Sequence, residues 1–135
     1  MVVVFDTNIW ISLAINKQLD FFTPLYNNKK ITIASCEEML NELIIVLSRP
    51  KFSKYFPENY IEKFIKFHQS ITINYKLSAI ETVVTDEKDN YLFALCKITN
   101  AHFFITGDKL LLNIDKYHNT SVVTLIDFKK GFKLA

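Results

Sequence analysis

Short apolar runs alternate along this chain with stretches spaced for helices, and that alternation constrains the fold more than any other feature. Val2-Val3-Val4-Phe5 is a continuous apolar run of the kind that lies buried on both faces of a sheet. Ile9 to Ile15 follows with helical spacing, and Asp20 to Tyr26 adds a further apolar turn or two. Ile31-Thr32-Ile33-Ala34 reads as a second strand. Ser35 then opens a helix: with Glu38 three residues on it forms a capping box, and Met39, Leu40, Leu43, Ile44 and Leu47 make the apolar arc. Arg49-Pro50 closes that helix, since a proline cannot continue it. Pro57 to Ser70 carries Tyr60, Ile61, Phe64, Ile65 and His68 at helical spacing, and Ile71 to Asn74 reads as a strand. Thr85 or Asp86 caps a helix with Leu92, Leu95, Cys96 and Thr99 on one face. His102 to Ile105 is a strand, Thr106-Gly107-Asp108 a turn and Lys109 to Leu112 a short helix. Ser121 to Leu125 is the last strand, followed by Ile126 to Lys130.

Strands of this length separated by helices imply βαβ units and a mostly parallel sheet. The expected fold is therefore α/β, a three-layer sandwich with a five-stranded sheet and helices on both faces. With 135 residues, half of them apolar, a single domain over 1–135 is expected. A chain of this size buries roughly 68% of its unfolded surface, so it needs no staples.

Composition removes several function classes. Two glycines leave no room for a glycine-rich phosphate loop. Two cysteines, Cys36 and Cys96, make neither a disulfide scaffold nor a four-thiolate zinc site. A net charge of +2 is no mark of a strong nucleic-acid binder, although a local basic patch is compatible with it. The longest apolar stretches are broken by Asp6, Asn8, Asn16 or Glu42 before about 18 residues, so no membrane span is expected. Met1 to Phe5 lacks the basic start of a signal peptide, and a cytoplasmic location is expected.

Ligands of open α/β sheets bind beyond the carboxyl ends of the strands. Asp6 directly follows the first strand, and Asp108 follows the strand ending at Ile105 and its turn. Glu42 falls at the border of the apolar arc of the Ser35 helix, and Asp89 in the first turn of the next. Alone, each acid reads as an ordinary turn, cap or solvated helix residue. Together they are more specific. Converging carboxylates repel one another and take up protons unless a cation bridges them. Hard, oxygen-seeking Mg²⁺ or Mn²⁺ suits such a set, and no His beside the acids speaks for zinc.

These residues resemble a known family. Val-Val-Val-Phe-Asp6-Thr7-Asn8 is similar to the opening of PIN domains, and Asn41-Glu42-Leu43 to their helix-borne acid. Asp86-Glu87-Lys88-Asp89-Asn90 resembles the third acidic motif, with Glu87-Lys88 replacing its usual middle pair. Phe104-Ile105-Thr106-Gly107-Asp108 resembles the fourth, and Leu47-Ser48-Arg49-Pro50-Lys51-Phe52 is similar to the toxin branch of toxin–antitoxin pairs. The resemblance implies a five-stranded parallel sheet and RNA cleavage dependent on one or two Mg²⁺ or Mn²⁺ ions. It implies Asp6, Glu42, Asp89 and Asp108 as catalytic metal ligands, with Thr7, Asn8 and Thr106 orienting carboxylates or water. Asp86 is left as either an outer ligand or a helix cap. Arg49, Lys51, Lys88 and Lys109 are candidate RNA contacts, and Tyr55, Tyr60 and Tyr91 candidate base-stacking rings. A small antitoxin and a homodimer are implied partners.

Other readings stay open beside this one: a catalytically silent binding module on the same scaffold, or a housekeeping RNA-processing nuclease. A receiver domain needs an acidic pair after the first strand, and a haloacid-dehalogenase-type phosphatase needs a second Asp where Asn8 stands; neither fits.

Overall fold

Val3, Val4 and Phe5 are fully buried because β1 (Val2–Phe5) runs through the middle of a six-stranded sheet. In the computed structural model, residues 1–132 are described, and the last three positions of the unit expected over 1–135 lie outside them. The strand order is β3-β2-β1-β4-β6-β5, with β2 at Thr32–Ser35, β3 at Ile73–Asn74, β4 at Phe103–Ile105, β5 at Lys116–Tyr117 and β6 at Thr120–Val123. Every pairing is parallel except β5 with β6. From β1 the chain steps outward to β2 and β3, then returns to the other side of β1 as β4. Parallel crossovers are right-handed, so this reversal distributes helices over both faces.

The sheet thus has one strand more than the five expected. The extra strand, β5, is two residues long and pairs antiparallel with β6 through a turn in which His118 takes a left-handed φ of 52°. Two residues are too few to leave a periodic signal in the sequence.

The helices are α1 (Thr7–Ile15), α2 (Phe22–Asn27), α3 (Glu37–Leu47), α4 (Tyr60–Ile71), α5 (Asn90–Thr99), α6 (Lys109–Leu112) and α7 (Leu125–Phe132). A 3₁₀ turn, Pro50–Tyr55, joins α3 to α4, and a second, Glu87–Asp89, runs directly into α5. Two sequence expectations are corrected here. Ser35 does not cap α3; it ends β2, Cys36 takes the N-cap position, and no side chain caps there. The Ser35 hydroxyl is engaged by His68 Nε2 at 2.7 Å instead, so a buried long-range bond has displaced the local one. Likewise α4 begins at Tyr60 and not at Pro57, after Asn59 in the left-handed region.

Rings fill the core under the end of β1. Phe5 meets Trp10, Phe21, Phe22 and Phe128 edge-on at centroid distances of 5.1–6.2 Å, the geometry favoured by aromatic quadrupoles. Trp10 stacks on Phe22 at 4.0 Å and is fully buried, so it is a packing residue. This packing fixes the residue that follows Phe5 in the chain.

Candidate active site

The order of the strands reverses between β1 and β4, and a crevice opens at the carboxyl ends of strands flanking such a reversal. Asp6 emerges there from β1. Its own N–H donates to Ile105 O at 2.9 Å, so β1 and β4 are zipped together to their last residues. Its carboxylate is almost completely buried. Thr106, from β4, donates its hydroxyl to Asp6 Oδ2 at 2.7 Å and accepts the Asp108 N–H at 3.1 Å. The Thr7 hydroxyl lies 2.6 Å from Glu42 Oε1 and 3.3 Å from Asp6 Oδ1. Having one proton, it donates to the nearer oxygen, which is Glu42's. Tyr91, at the start of α5, approaches the other oxygen of Glu42 at 3.4 Å. Glu42 is therefore held from both sides by hydroxyls.

Asp6, Glu42 and Asp89 line one cleft of about 500 Å³. Thr7, Asn8, Glu38, Asn41, Ile45, Val46, Arg49 and Lys88 complete its walls. Asp108 opens instead onto an adjoining hollow of about 300 Å³, which it shares with Asp86, Asp89 and Leu110. Asp89 borders both. The loop before it is pinned by Asn90, whose side-chain oxygen accepts the N–H groups of Val83 and Val84, each at 2.9 Å.

Asp6, Glu42 and Asp89 resist ionisation. Burial raises the Asp6 carboxyl above its ordinary value, against hydrogen bonds from the Thr106 hydroxyl and from the backbone of Asn8 and Thr7 that lower it. Burial also raises Glu42, with the Asp6 charge adding to it. Asp89 is pushed up to about 6 by burial and then by the charges of Asp6, Asp86 and Glu42. Two ion pairs occur among the described residues, Lys88–Asp86 at 3.6 Å and Lys97–Glu81 at 3.0 Å, and neither involves these three acids.

Among the described residues, no three His, Cys, Asp or Glu side chains stand together as a ready-made metal-ligand group. The carboxylates of Asp6, Glu42 and Asp89 nonetheless face a common space. Asp108 Oδ1 accepts the Leu110 N–H at 2.9 Å and so caps α6.

A family model matches residues 2–110, and it is that of the PIN domain. The chain belongs to the PIN domain family. Among solved structures, a chain of the VapBC2 complex from Rickettsia felis, bound to a DNA fragment from the promoter, superposes with a TM-score of 0.62 at 19% identity. The match covers 92% of this chain and 98% of that one, and at that identity it is a likeness of fold. No curated protein matches the chain significantly.

Of the remaining residues singled out in the sequence, this PIN domain places Asn8, Arg49 and Lys88 on the cleft wall. Lys51 and Lys109 are exposed outside it. Asp86 sits at the N-cap of the Glu87–Asp89 turn without a side-chain cap bond, and its carboxylate faces Lys88. His68 is buried against Ser35 and the core rings, and His102 Nδ1 accepts the Val2 N–H at 3.2 Å. Tyr60 stacks on Phe56 at 4.1 Å and belongs to the packing. The sequence reading missed Glu38 and Asn41. Glu38 lies one helical turn before Glu42, an i,i+4 relation that carries the signal, but it was assigned to a capping box. The bond from Tyr91 to Glu42 spans 49 positions and leaves no local trace.

Proposed function

We propose that this PIN domain is a Mg²⁺- or Mn²⁺-dependent endoribonuclease and the toxin of a toxin–antitoxin pair. One observation carries the reading: the carboxylates of Asp6, Glu42 and Asp89, buried or half-buried, share a cleft at the strand reversal, and none of the three is ion-paired among the described residues. Their all-oxygen donor set fits a hard divalent cation. Asp6, Glu42 and Asp89 would hold it, with Asp108 on the adjoining hollow serving a second or water-mediated site. A divalent ion there supplies an activated water and neutralises charge on the phosphodiester oxygens.

The chain's own groups do the rest. Thr106 and Thr7 fix the oxygens of Asp6 and Glu42, so two of the three carboxylates would already be oriented when an ion arrives, and Asp89 would complete the set on binding. Arg49 and Lys88, on the cleft wall, offer cationic contacts to phosphates on either side of the scissile bond. Lys51 and Lys109 extend that role outside the cleft, and Asn8 offers an amide to a water or phosphate oxygen. Large apolar side chains lie bare close by, Ile45 at 64% and Leu110 at 77% exposure. They suit coverage by a protein, in line with a small antitoxin partner; the VapBC2 neighbour is named as a complex. A homodimer and a cytoplasmic location complete the proposal.

The deciding experiment is cleavage of a labelled RNA by wild type and Asp6→Asn, with Mg²⁺, with Mn²⁺ and with neither. Cleavage confined to wild type with Mg²⁺ or Mn²⁺ supports the reading. A folded wild type that cleaves nothing with either ion overturns it. The capping role of the Asp108 carboxylate favours a second reading, a binding module without catalysis. An unchanged melting temperature in millimolar Mn²⁺ would select that one.

A further inference from the structure

From the 3₁₀ turn Pro50–Tyr55 we infer that it forms a track for single-stranded RNA leading out of the acidic cleft, with a base stacked on Tyr55 and phosphates held by Lys51 and Lys54. The inference rests on the nuclease reading and extends it to the form of the substrate. Residues three apart eclipse one another in a 3₁₀ helix, which divides this turn into faces. Ser53, with Phe56 beyond the end of the turn, lines the hollow against α4. Lys51 and Lys54 share a second face, and Phe52 and Tyr55 a third. Each lysine is drawn over the ring that follows it: Lys51 Nζ lies 5.0 Å from the Phe52 centroid and Lys54 Nζ 5.1 Å from that of Tyr55. The outcome is two cation–aromatic pairs one turn apart, or ~6 Å along the axis. That repeat is close to one nucleotide of an extended strand.

Tyr55 is 44% exposed, so a large part of it faces water instead of the core. Charge selects the occupant. From Arg49 to Phe56 the chain carries three cations and no acid. Arg49 lines both the acidic cleft and the hollow beside the turn, so a cation stands where the two meet. Glu58 and Glu62 line that hollow and repel phosphate, which leaves the lysine-bearing face of the turn as the path. A ring stacks on a base only where that base is unpaired, so the track selects single strands over duplex.

The test is fluorescence anisotropy with a short fluorescein-labelled oligouridylate and the full chain in EDTA, which separates binding from cleavage. Tyr55→Ala is expected to weaken binding roughly tenfold, and Tyr55→Phe to restore it. Lys51→Ala with Lys54→Ala is expected to flatten the dependence of log K on log salt by ~1.4. Unaltered affinity and slope in these variants overturn the track, as does duplex RNA that competes as well as the single strand. The two readings fail separately. A wild type that cleaves RNA with Mn²⁺ while Tyr55→Ala binds unchanged removes only the track. A chain that binds through Tyr55 but never cleaves removes only the nuclease.

Discussion

The hydroxyl of Thr106 donates to Oδ2 of Asp6 at 2.7 Å, across 100 positions of sequence. The same hydroxyl accepts the N–H of Asp108 at 3.1 Å, so one side chain ties together the residues that leave β1 and β4. Thr106→Val keeps the shape and removes both bonds. It should cost about 1–3 kcal/mol, because a buried carboxylate and a backbone N–H lose their partner. Thr106→Ser should recover most of that loss. Urea unfolding of the three proteins checks the order.

Glu42 tests which of its two hydroxyl partners matters. Thr7 approaches at 2.6 Å and Tyr91 at 3.4 Å, and short contacts to a charged acceptor are the strong ones. Thr7→Val should therefore destabilise by roughly 1–3 kcal/mol, and Tyr91→Phe by less than about 1 kcal/mol. Equal losses in denaturant titrations would contradict this ranking.

Asp89→Asn should raise the melting temperature of the metal-free protein. The carboxyl stands at about 6 because burial and three neighbouring acids disfavour its charge, and an amide removes that conflict. The same substitution should abolish stabilisation by Mn²⁺, which for wild type is about 2.7 kcal/mol at a hundredfold excess over the dissociation constant. Thermal scans with EDTA and with Mn²⁺ read both effects. A lower metal-free melting temperature in the variant would contradict the account.

His68 sets an acid limit on stability. Burial holds its imidazole down to about 4, against roughly 6.5 in an unfolded chain. Between those values the unfolded chain binds the proton and the folded one does not. Its contribution is therefore intact above about pH 6.5 and declines as pH falls toward about 4, by roughly 3 kcal/mol in total. Asp89, raised in the fold, works in the opposite direction over an overlapping range. The difference between wild type and His68→Phe in urea unfolding at several pH values isolates the histidine. It should shrink as the pH is lowered, and a constant difference would falsify the assignment.

The sequence made legible whatever local chemistry decides. The turn Thr106-Gly107-Asp108 and the helix Lys109–Leu112 stand where they were expected, because an apolar run, a turn glycine and a capping Asp all act within a few residues. Asp6, Glu42 and Asp89 could be singled out because each breaks an apolar pattern at a defined position. What stayed hidden depends on distant partners. Ser35 has every local feature of a helix cap, yet His68, 33 residues away, takes its hydroxyl. Asp108 follows its strand as Asp6 does, yet it opens onto the adjoining hollow and not onto the cleft of the other acids, a placement that no local pattern records. Strand β5 exists only because β6 offers it a partner.

Asp89 is the common wall of two hollows, one bounded by Asp6 and Glu42 and the other by Asp86 and Asp108. Neither chamber can be filled without altering the field in its neighbour. A cation held in the first would partly neutralise this shared carboxylate and weaken the pull on a second cation. No substitution at position 89 can retune one door of this two-door arrangement alone.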